Sequence, residues 1–402
     1  MNVLFVHNNF PAQYRHLAEA LGRDPGHQVV AIGSRTAKTI PGIRLLKYAS
    51  ANRDAAAVHP FARRFDTECR RAEEVLYSLS SLAASGFVPD VIFAHPGWGE
   101  TLPLRTVFPK SRIVVYCEFY YASEGRDVGF DSEFPMTGLD GDVALHLKNA
   151  TSLLALSEAD AAVSPTEWQK STFPREFQGK IEVVHEGIDV DEVRPDPAAS
   201  IELPSGFRLF AGDEIITYVA RNLEPLRGYH IFMRSLPKIL QARPHAQVVI
   251  VGGEGVSYGA TPPAGTTWKS IFLDEVAGKL DLGRVHFLGH VPRATFLSVL
   301  QVSSVHVYLT YPFVLSWSLL EAMSAGCVIV ASNTAPLRDV INGDNGILVP
   351  FFNVDALADK VIEVLSTPRR FSKLRTAARK FVSETYDAKR INLPQMMRLL
   401  RE

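Results

Sequence analysis

The stretch "IITYVARNLEPLRGYHIFMRSLPKILQARPHAQVVIVGG", residues 215–253, decides the fold. It opens on a β-branched apolar run, 215–221, too short for a helix and apolar on both faces. A polar loop with Arg221, Arg227 and Gly228 follows. Then "YHIFMRSLPKILQA" shows helical periodicity, and "QVVIVGG" returns to a short apolar run. Strand, helix, strand of this kind is a parallel crossover unit, whose strands are covered on both faces by helices.

The same alternation extends in both directions. Runs at 2–7, 27–33, 91–96, 112–119, 161–165 and 181–187 precede the stretch; 284–290, 305–310, 327–332 and 345–350 follow it. With 402 residues the chain suits two domains of Rossmann size rather than one core. The fold class expected is α/β, with two doubly wound sheets in series. The domains expected are 1–194, a linker at 195–212 rich in Pro, Ala, Ser and Gly, and 213–385. A final helix in 386–402, after a break near Tyr386 to Pro394, is free to return to the first domain.

Composition narrows the function. Hydrophobic residues are 47% and charged residues 21%, as in a soluble globular protein, and a net charge of −1 gives no reason to expect nucleic acid. Cys69, Cys117 and Cys327 are few, scattered and without metal-type spacing, which points to reduced thiols in the cytoplasm. The N-terminal run is short and lacks a basic leader, so it reads as a first strand rather than a signal peptide. No apolar stretch has the length of a membrane span.

Open α/β sheets bind ligands at the carboxyl ends of their strands, so the residues just after strands carry the chemistry. Arg221 and Arg227 are two cations on one loop, with Gly228 allowing close backbone approach; together they suit a diphosphate. Gly253, in "VIVGGEG", sits on a turn able to approach a ligand. No "GxGxxG" follows the first strand, which argues against a dinucleotide dehydrogenase. "TYPFVLSWSLLEAMSAG", 310–326, starts a helix directly after a strand, where free N–H groups favour phosphate. Glu321 there suits a ribose diol, but Ser318-x-x-Glu321 also fits a capping box, and both readings stand.

His95 ends a strand before a Pro-Gly-Trp-Gly turn and can donate to a sugar hydroxyl or a phosphate. Glu118, beside three aromatics in "VYCEFYY", suits a carbohydrate pocket or an aromatic core edge. Two "DxD" matches, Asp140/Asp142 and Asp189/Asp191, read as turns or helix caps, so no metal is expected. The arginines of "ARRFDTECRRAEEVL" interleave with acids and read as a solvated, salt-bridged helix.

The order of these pieces resembles a family. "YVARNLEPLRGYHIFMRSLPKIL" followed by "VHFLGHVPRATFLSVLQVSSVHVYLTYPFVLSWSLLEAMSAGCVIVASNTAPLRDVINGDNGILVP" is similar to the C-terminal half of family-4 retaining glycosyltransferases. "VIFAHPGWGE" and "AVSPTEWQKSTFP…IEVVHEGID" stand where that family's N-terminal signatures stand. "FVHNNFPAQYRHLA" resembles one bacterial branch of the family. The resemblance implies a GT-B architecture, two Rossmann-like domains facing a cleft, with a nucleotide-diphosphate sugar as co-substrate, a hydroxyl acceptor and no cofactor. Arg221 and Arg227 would clamp the diphosphate, and His95 would orient the sugar. Glu321 would hold the ribose. Ser316, Trp317, Ser318, Gly253 and Leu288 would line the donor site, and Asn8, Asn9, Phe10 and Glu118 the acceptor site.

The departure is at Phe313. The family's paired-glutamate motif places an acid there, eight positions before Glu321, and that acid contacts sugar hydroxyls. A nucleoside diphosphate is a good leaving group, so loss of the acid bears on donor recognition before it bears on turnover. The function expected is therefore retaining, metal-independent glycosyl transfer in polysaccharide or natural-product assembly. Peripheral membrane contact is admitted, and oligomeric state is left open. The rivals are a GT-B epimerase or phosphorylase, and a nucleotide-sugar-binding protein without catalysis.

Overall fold

A computed structural model describes residues 1–49, 57–134 and 138–401. The chain forms two compact units: Met1–Gly187 with Ala388–Glu402, and Ile188–Asp387.

The first unit holds a seven-stranded sheet of β1 (Asn2–Val6), β2 (Gln28–Gly33), β3 (Ile43–Lys47), β4 (Val91–Ala94), β5 (Arg112–Tyr116), β6 (Ala161–Ser164) and β7 (Ile181–Val183). The order is β3-β2-β1-β4-β5-β6-β7, and every pairing is parallel. In the second unit a two-stranded antiparallel hairpin, β8 (Ser200–Glu202) and β9 (Arg208–Phe210), precedes the main sheet. That sheet comprises β10 (Ile215–Asn222), β11 (Gln247–Gly253), β12 (Val285–Gly289), β13 (Val305–Tyr308), β14 (Ile329–Ser332) and β15 (Ile347–Val349). Its order is β12-β11-β10-β13-β14-β15, again all parallel.

Both sheets are doubly wound, as the short two-faced apolar runs imply. In each, strand order reverses beside the first strand: at β1/β4 in the first unit and at β10/β13 in the second. Such a reversal sends the flanking loops to opposite faces and leaves a crevice at the carboxyl ends. Residues following β1, β4, β10 and β13 are therefore the ones the topology gathers.

Three segments differ from the sequence expectation. β3 lies at the sheet edge with partly exposed positions, so "IRLLK" lacks the two-faced apolarity that marked the other strands. The stretch 195–212 is not a linker: it contains the β8–β9 hairpin, whose Ile201 and Leu209 are buried in the second unit's core. The turn residues that suggested a linker are the hairpin's connections. The second unit also begins earlier than 213, at Ile188, whose N–H donates to the Tyr386 carbonyl at 2.7 Å. The last helix, Leu393–Arg398, belongs to the first unit. Met396, Leu399 and Leu400 are buried with Phe5, Tyr14 and Val184, and Arg112 Nε donates to the Leu399 carbonyl at 3.2 Å. Among the described residues no helix is long and apolar enough to cross a membrane.

β13 carries a buried histidine. His306 is fully enclosed, its Nδ1 2.8 Å from Thr217 Oγ1, and burial drops its pKa to about 3. The unfolded chain takes up a proton below the ordinary value of about 6.5, whereas the folded chain does not. This contribution to stability is complete above that value and is lost as pH falls towards 3. By linkage it amounts to about 2 kcal/mol between pH 7.5 and pH 5. His306→Asn keeps a partner for Thr217 but cannot charge. Urea unfolding at the two pH values is expected to show a loss smaller than wild type by about that amount, and equal losses would refute it.

Candidate functional site

At the β1/β4 reversal two histidines meet. His7 follows β1 and His95 follows β4, with ring centroids 5.1 Å apart. The Asn9 N–H donates to His7 Nδ1 at 2.9 Å, so the His7 proton sits on Nε2 and is given to Gln13 Oε1 at 2.8 Å. Gln13 Nε2 donates onward to Glu118 Oε1 at 3.1 Å. His95 is fixed in the same way. Its Nδ1 accepts the Gly97 N–H at 3.1 Å, which leaves an N–H at Nε2. That N–H has no hydrogen-bond partner among the described residues, and Glu118 Oε2 lies 3.7 Å away. Burial, then the neighbouring His95, lower the His7 pKa to about 3, so His7 is neutral. Both rings are donors rather than bases.

The aromatic frame is tight. Trp98 stacks on His95 at 4.5 Å and Tyr116 at 5.6 Å. The turn carrying Trp98 is held from the helix Arg63–Ala84: Arg64 Nη2 donates to the Gly97 carbonyl at 3.2 Å and Arg71 Nη1 to the Trp98 carbonyl at 2.9 Å. Gly99, at φ +98°, lies so close to that helix that a Cβ would stand 2.3 Å from the Glu68 carbonyl. The reading of this helix as solvated and salt-bridged is right for Arg70, paired with Asp66 at 2.6 Å, and incomplete for Arg64 and Arg71.

The loop after β1 departs from expectation at one residue. Phe10 does not face a ligand; it is fully buried beside Phe5 at 5.7 Å. Asn8 Oδ1 lies 3.3 Å from the Tyr48 hydroxyl, which donates to buried Glu100 at 2.6 Å. Burial pushes the Glu100 carboxyl up. Asn9 is exposed and accepts the Thr36 hydroxyl at 2.5 Å.

At the β10/β13 reversal of the second unit stand the arginines. Arg227 Nη1 donates to Tyr308 Oη (3.2 Å), Thr310 Oγ1 (2.8 Å) and the Val314 carbonyl (3.1 Å). Arg221, exposed at the end of β10, donates to Tyr258 Oη at 3.3 Å. Among the described residues neither pairs with a carboxylate. Phe313 is buried, with Tyr258 5.0 Å and the Arg227 guanidinium 5.7 Å from its ring.

The helix Trp317–Ser324 begins here, and its cap is not the one the capping-box spacing suggests. Ser316 is the N-cap, its Oγ accepting the Ser318 N–H at 3.3 Å. Glu321 lies a turn beyond and pairs with Arg293, which also reaches Glu192 at 3.1 Å. The Ser316 N–H is taken by Tyr308 Oη at 3.0 Å, so the amides of Ser316 and Ser318 already have partners. Trp317 is 43% exposed at the helix start, and Leu288 is half-buried against the core. Of the acid pairs, Asp189 closes a turn by accepting the Asp191 and Glu192 N–H groups, and Asp140 and Asp142 lie in the first turn of a helix.

Sequence reasoning missed Gln13, Tyr258, Arg293 and Glu224. Glu224 is buried, and its Oε2 accepts the N–H groups of Ser257 (3.2 Å), Tyr258 (3.5 Å) and Gly259 (3.2 Å), fixing the loop after β11. Gly253 starts that loop where a Cβ would stand 2.3 Å from His290 Nε2 and 2.6 Å from Asn222 Oδ1.

Two doubly wound parallel-sheet units with polar clusters at their strand reversals define a GT-B protein. Solved structures share the fold: sucrose-phosphate synthase from Thermosynechococcus elongatus (TM-score 0.76, 18% identity, covering 100% of this chain and 98% of that one) and Anabaena HepE in complex with UDP (0.67, 14%, 99% and 99%). The model described as glycosyl transferase family 4 group matches residues 25–193, and that described as glycosyl transferases group 1 matches 202–381. The chain belongs to the family-4 glycosyltransferases. It is 25% identical over 399 residues to the GDP-mannose-dependent alpha-(1-6)-phosphatidylinositol monomannoside mannosyltransferase of Mycobacterium tuberculosis, covering 95% of this chain and 93% of that one. It is also 30% identical over 253 residues to the phosphatidyl-myo-inositol mannosyltransferase of Mycolicibacterium smegmatis, covering 55% and 61%.

Replacing Glu224 by Ala strands three N–H groups at once. The expected result is a loss of about 3 kcal/mol in the stability of the second unit. Thermal melts read it, and a change under about 0.5 kcal/mol, the level of an ordinary surface substitution, would show that the loop does not depend on the carboxylate.

Proposed function

We propose that this glycosyltransferase moves a sugar from a nucleoside diphosphate to a hydroxyl acceptor, with retention at the anomeric carbon and without a metal. The observation that carries the reading is Arg221 and Arg227 at one strand reversal, with no carboxylate partner among the described residues. Guanidinium groups held by neutral acceptors keep their full charge for an anionic leaving group.

The step is a front-face displacement. The bond from the anomeric carbon to the diphosphate oxygen breaks, and the acceptor oxygen bonds to the same face. The acceptor's proton passes to the departing phosphate. No protein carboxylate is required as nucleophile, which fits a chain with Phe313 where its family carries an acid. Arg221 and Arg227 stabilise the charge on the diphosphate, and Glu321 binds the ribose. His95 offers its Nε2–H to a substrate oxygen, and Glu118 accepts from the acceptor hydroxyl. GDP-mannose is the first donor to test and an inositol phospholipid the first acceptor, both after the mycobacterial relatives. The cytoplasm, where nucleotide sugars are made, is the proposed location.

The test is thermal stability of wild type and Glu321→Ala with GDP, UDP, ADP, CDP and TDP. A nucleotide at about 100 times its Kd adds roughly 2.7 kcal/mol. One nucleotide is expected to stabilise wild type and to lose most of that gain in the variant. A gain that persists would confine Glu321 to its pairing with Arg293, and no gain with any nucleotide would refute the donor site.

A further inference from the structure

Tyr258 is 44% exposed, yet its surroundings immobilise it. Its hydroxyl accepts from Arg221 at 3.3 Å, its ring centroid lies 5.0 Å from that of buried Phe313, and the carboxylate of Glu224 holds the N–H groups of 257–259. Asn222 Nδ2 adds a bond to Ser257 Oγ at 2.7 Å. The Arg227 guanidinium in turn lies 5.7 Å from the centre of the Phe313 ring. The two aromatics therefore bridge the two arginines, with Tyr258 outermost and Phe313, only 1% exposed, behind it.

We propose that Tyr258 is the donor-sugar platform of this enzyme: the glycosyl ring lays an apolar C–H face on Tyr258, and Phe313 is the residue that positions it. The inference rests on the donor reading above. Phe313 is too deeply buried to meet a sugar, so loss of the acid is not compensated at 313 itself. The aromatic at 313 instead supports a second aromatic from the loop after β11. An acid at 313 would offer hydrogen-bond acceptors to hydroxyls, whereas a fixed phenol ring offers an apolar surface and selects by the shape of the sugar face. The ring is tied to Arg221, so it lies beside the diphosphate. Of the two groups a diphosphate carries, the nucleoside is assigned to Glu321, which leaves the sugar to Tyr258. Phe313 acts through Tyr258 and is a positioning residue.

Calorimetric titration of wild type, Tyr258→Phe and Tyr258→Ala with GDP and GDP-mannose, and with UDP and UDP-glucose, tests this. The quantity read is the affinity ratio of each sugar nucleotide to its nucleoside diphosphate. Tyr258→Ala is expected to lower that ratio about tenfold while the diphosphate affinity changes less than threefold; Tyr258→Phe, which keeps the ring, is expected to hold the ratio. Phe313→Leu, which removes the support, is expected to lower it in the same sense as Tyr258→Ala. Equal weakening of diphosphate and sugar nucleotide would overturn the proposal and assign Tyr258 to the base or to Arg221. A fall in Tyr258→Phe as large as in Tyr258→Ala would overturn it in favour of a hydroxyl contact. If neither diphosphate binds wild type, the donor reading and this inference fall together.

Discussion

A guanidinium held by neutral oxygens is the interaction on which the second unit's site depends. Arg227 is fastened by Tyr308, Thr310 and the Val314 carbonyl, from β13 and the loop after it. These acceptors fix the position of the cation without cancelling its charge. A carboxylate in their place would fix it equally well and leave an ion pair with little field to offer a ligand. The same contacts pin the 310–316 loop, and Tyr308 also takes the Ser316 N–H, so the helix start at Trp317 is set by the arginine's own acceptors. Phe313 belongs to this arrangement: a buried aromatic beside Arg227 contributes packing and a weak cation–π attraction, and no countercharge.

The first unit uses the opposite device, imidazole rings fixed by backbone donors. Backbone N–H groups occupy Nδ1 of both His7 and His95, so each ring presents a proton at Nε2. His7 donates to Gln13, whose amide donates to Glu118 and orders the carboxylate; His95 Nε2 lies 3.7 Å from the other oxygen of that carboxylate. A base at these positions would need a free ring nitrogen, and the backbone has taken it. This suits a reaction in which the departing phosphate, rather than a side chain, receives the acceptor's proton.

How much of this the sequence discloses follows from what each feature depends on. Central parallel strands are buried on both faces, so their apolar runs are legible one at a time, and their loops lead directly to His95, Arg221 and Arg227. β3 escapes because an edge strand keeps exposed positions, and β8–β9 because its turns share the composition of a linker. Phe10 follows two asparagines in a polar loop, and only the fold turns its ring inward. The supporting residues are harder still. Glu224 caps a loop more than thirty residues away, Arg64 and Arg71 reach carbonyls of a turn beyond their own helix, and Arg293 meets Glu321 across 28 positions. Their types are those of ordinary surface charges, and distance along the chain hides the partner. Ser318 shows the converse. Its spacing to Glu321 matches a capping box, but the chain enters the helix two residues earlier, at Ser316.

The central claim is that Arg227 holds its charge for a diphosphate, and the most direct measurement is of phosphate number. The affinities of wild type and Arg227→Ala for the nucleoside mono- and diphosphate of the preferred base would be compared by calorimetry. The account expects wild type to favour the diphosphate by about 100-fold, roughly 2.7 kcal/mol, a gain consistent with charge-assisted bonds to one phosphate, and the variant to lose most of that preference. A wild type that binds both equally, or a variant that keeps the full preference, would contradict it.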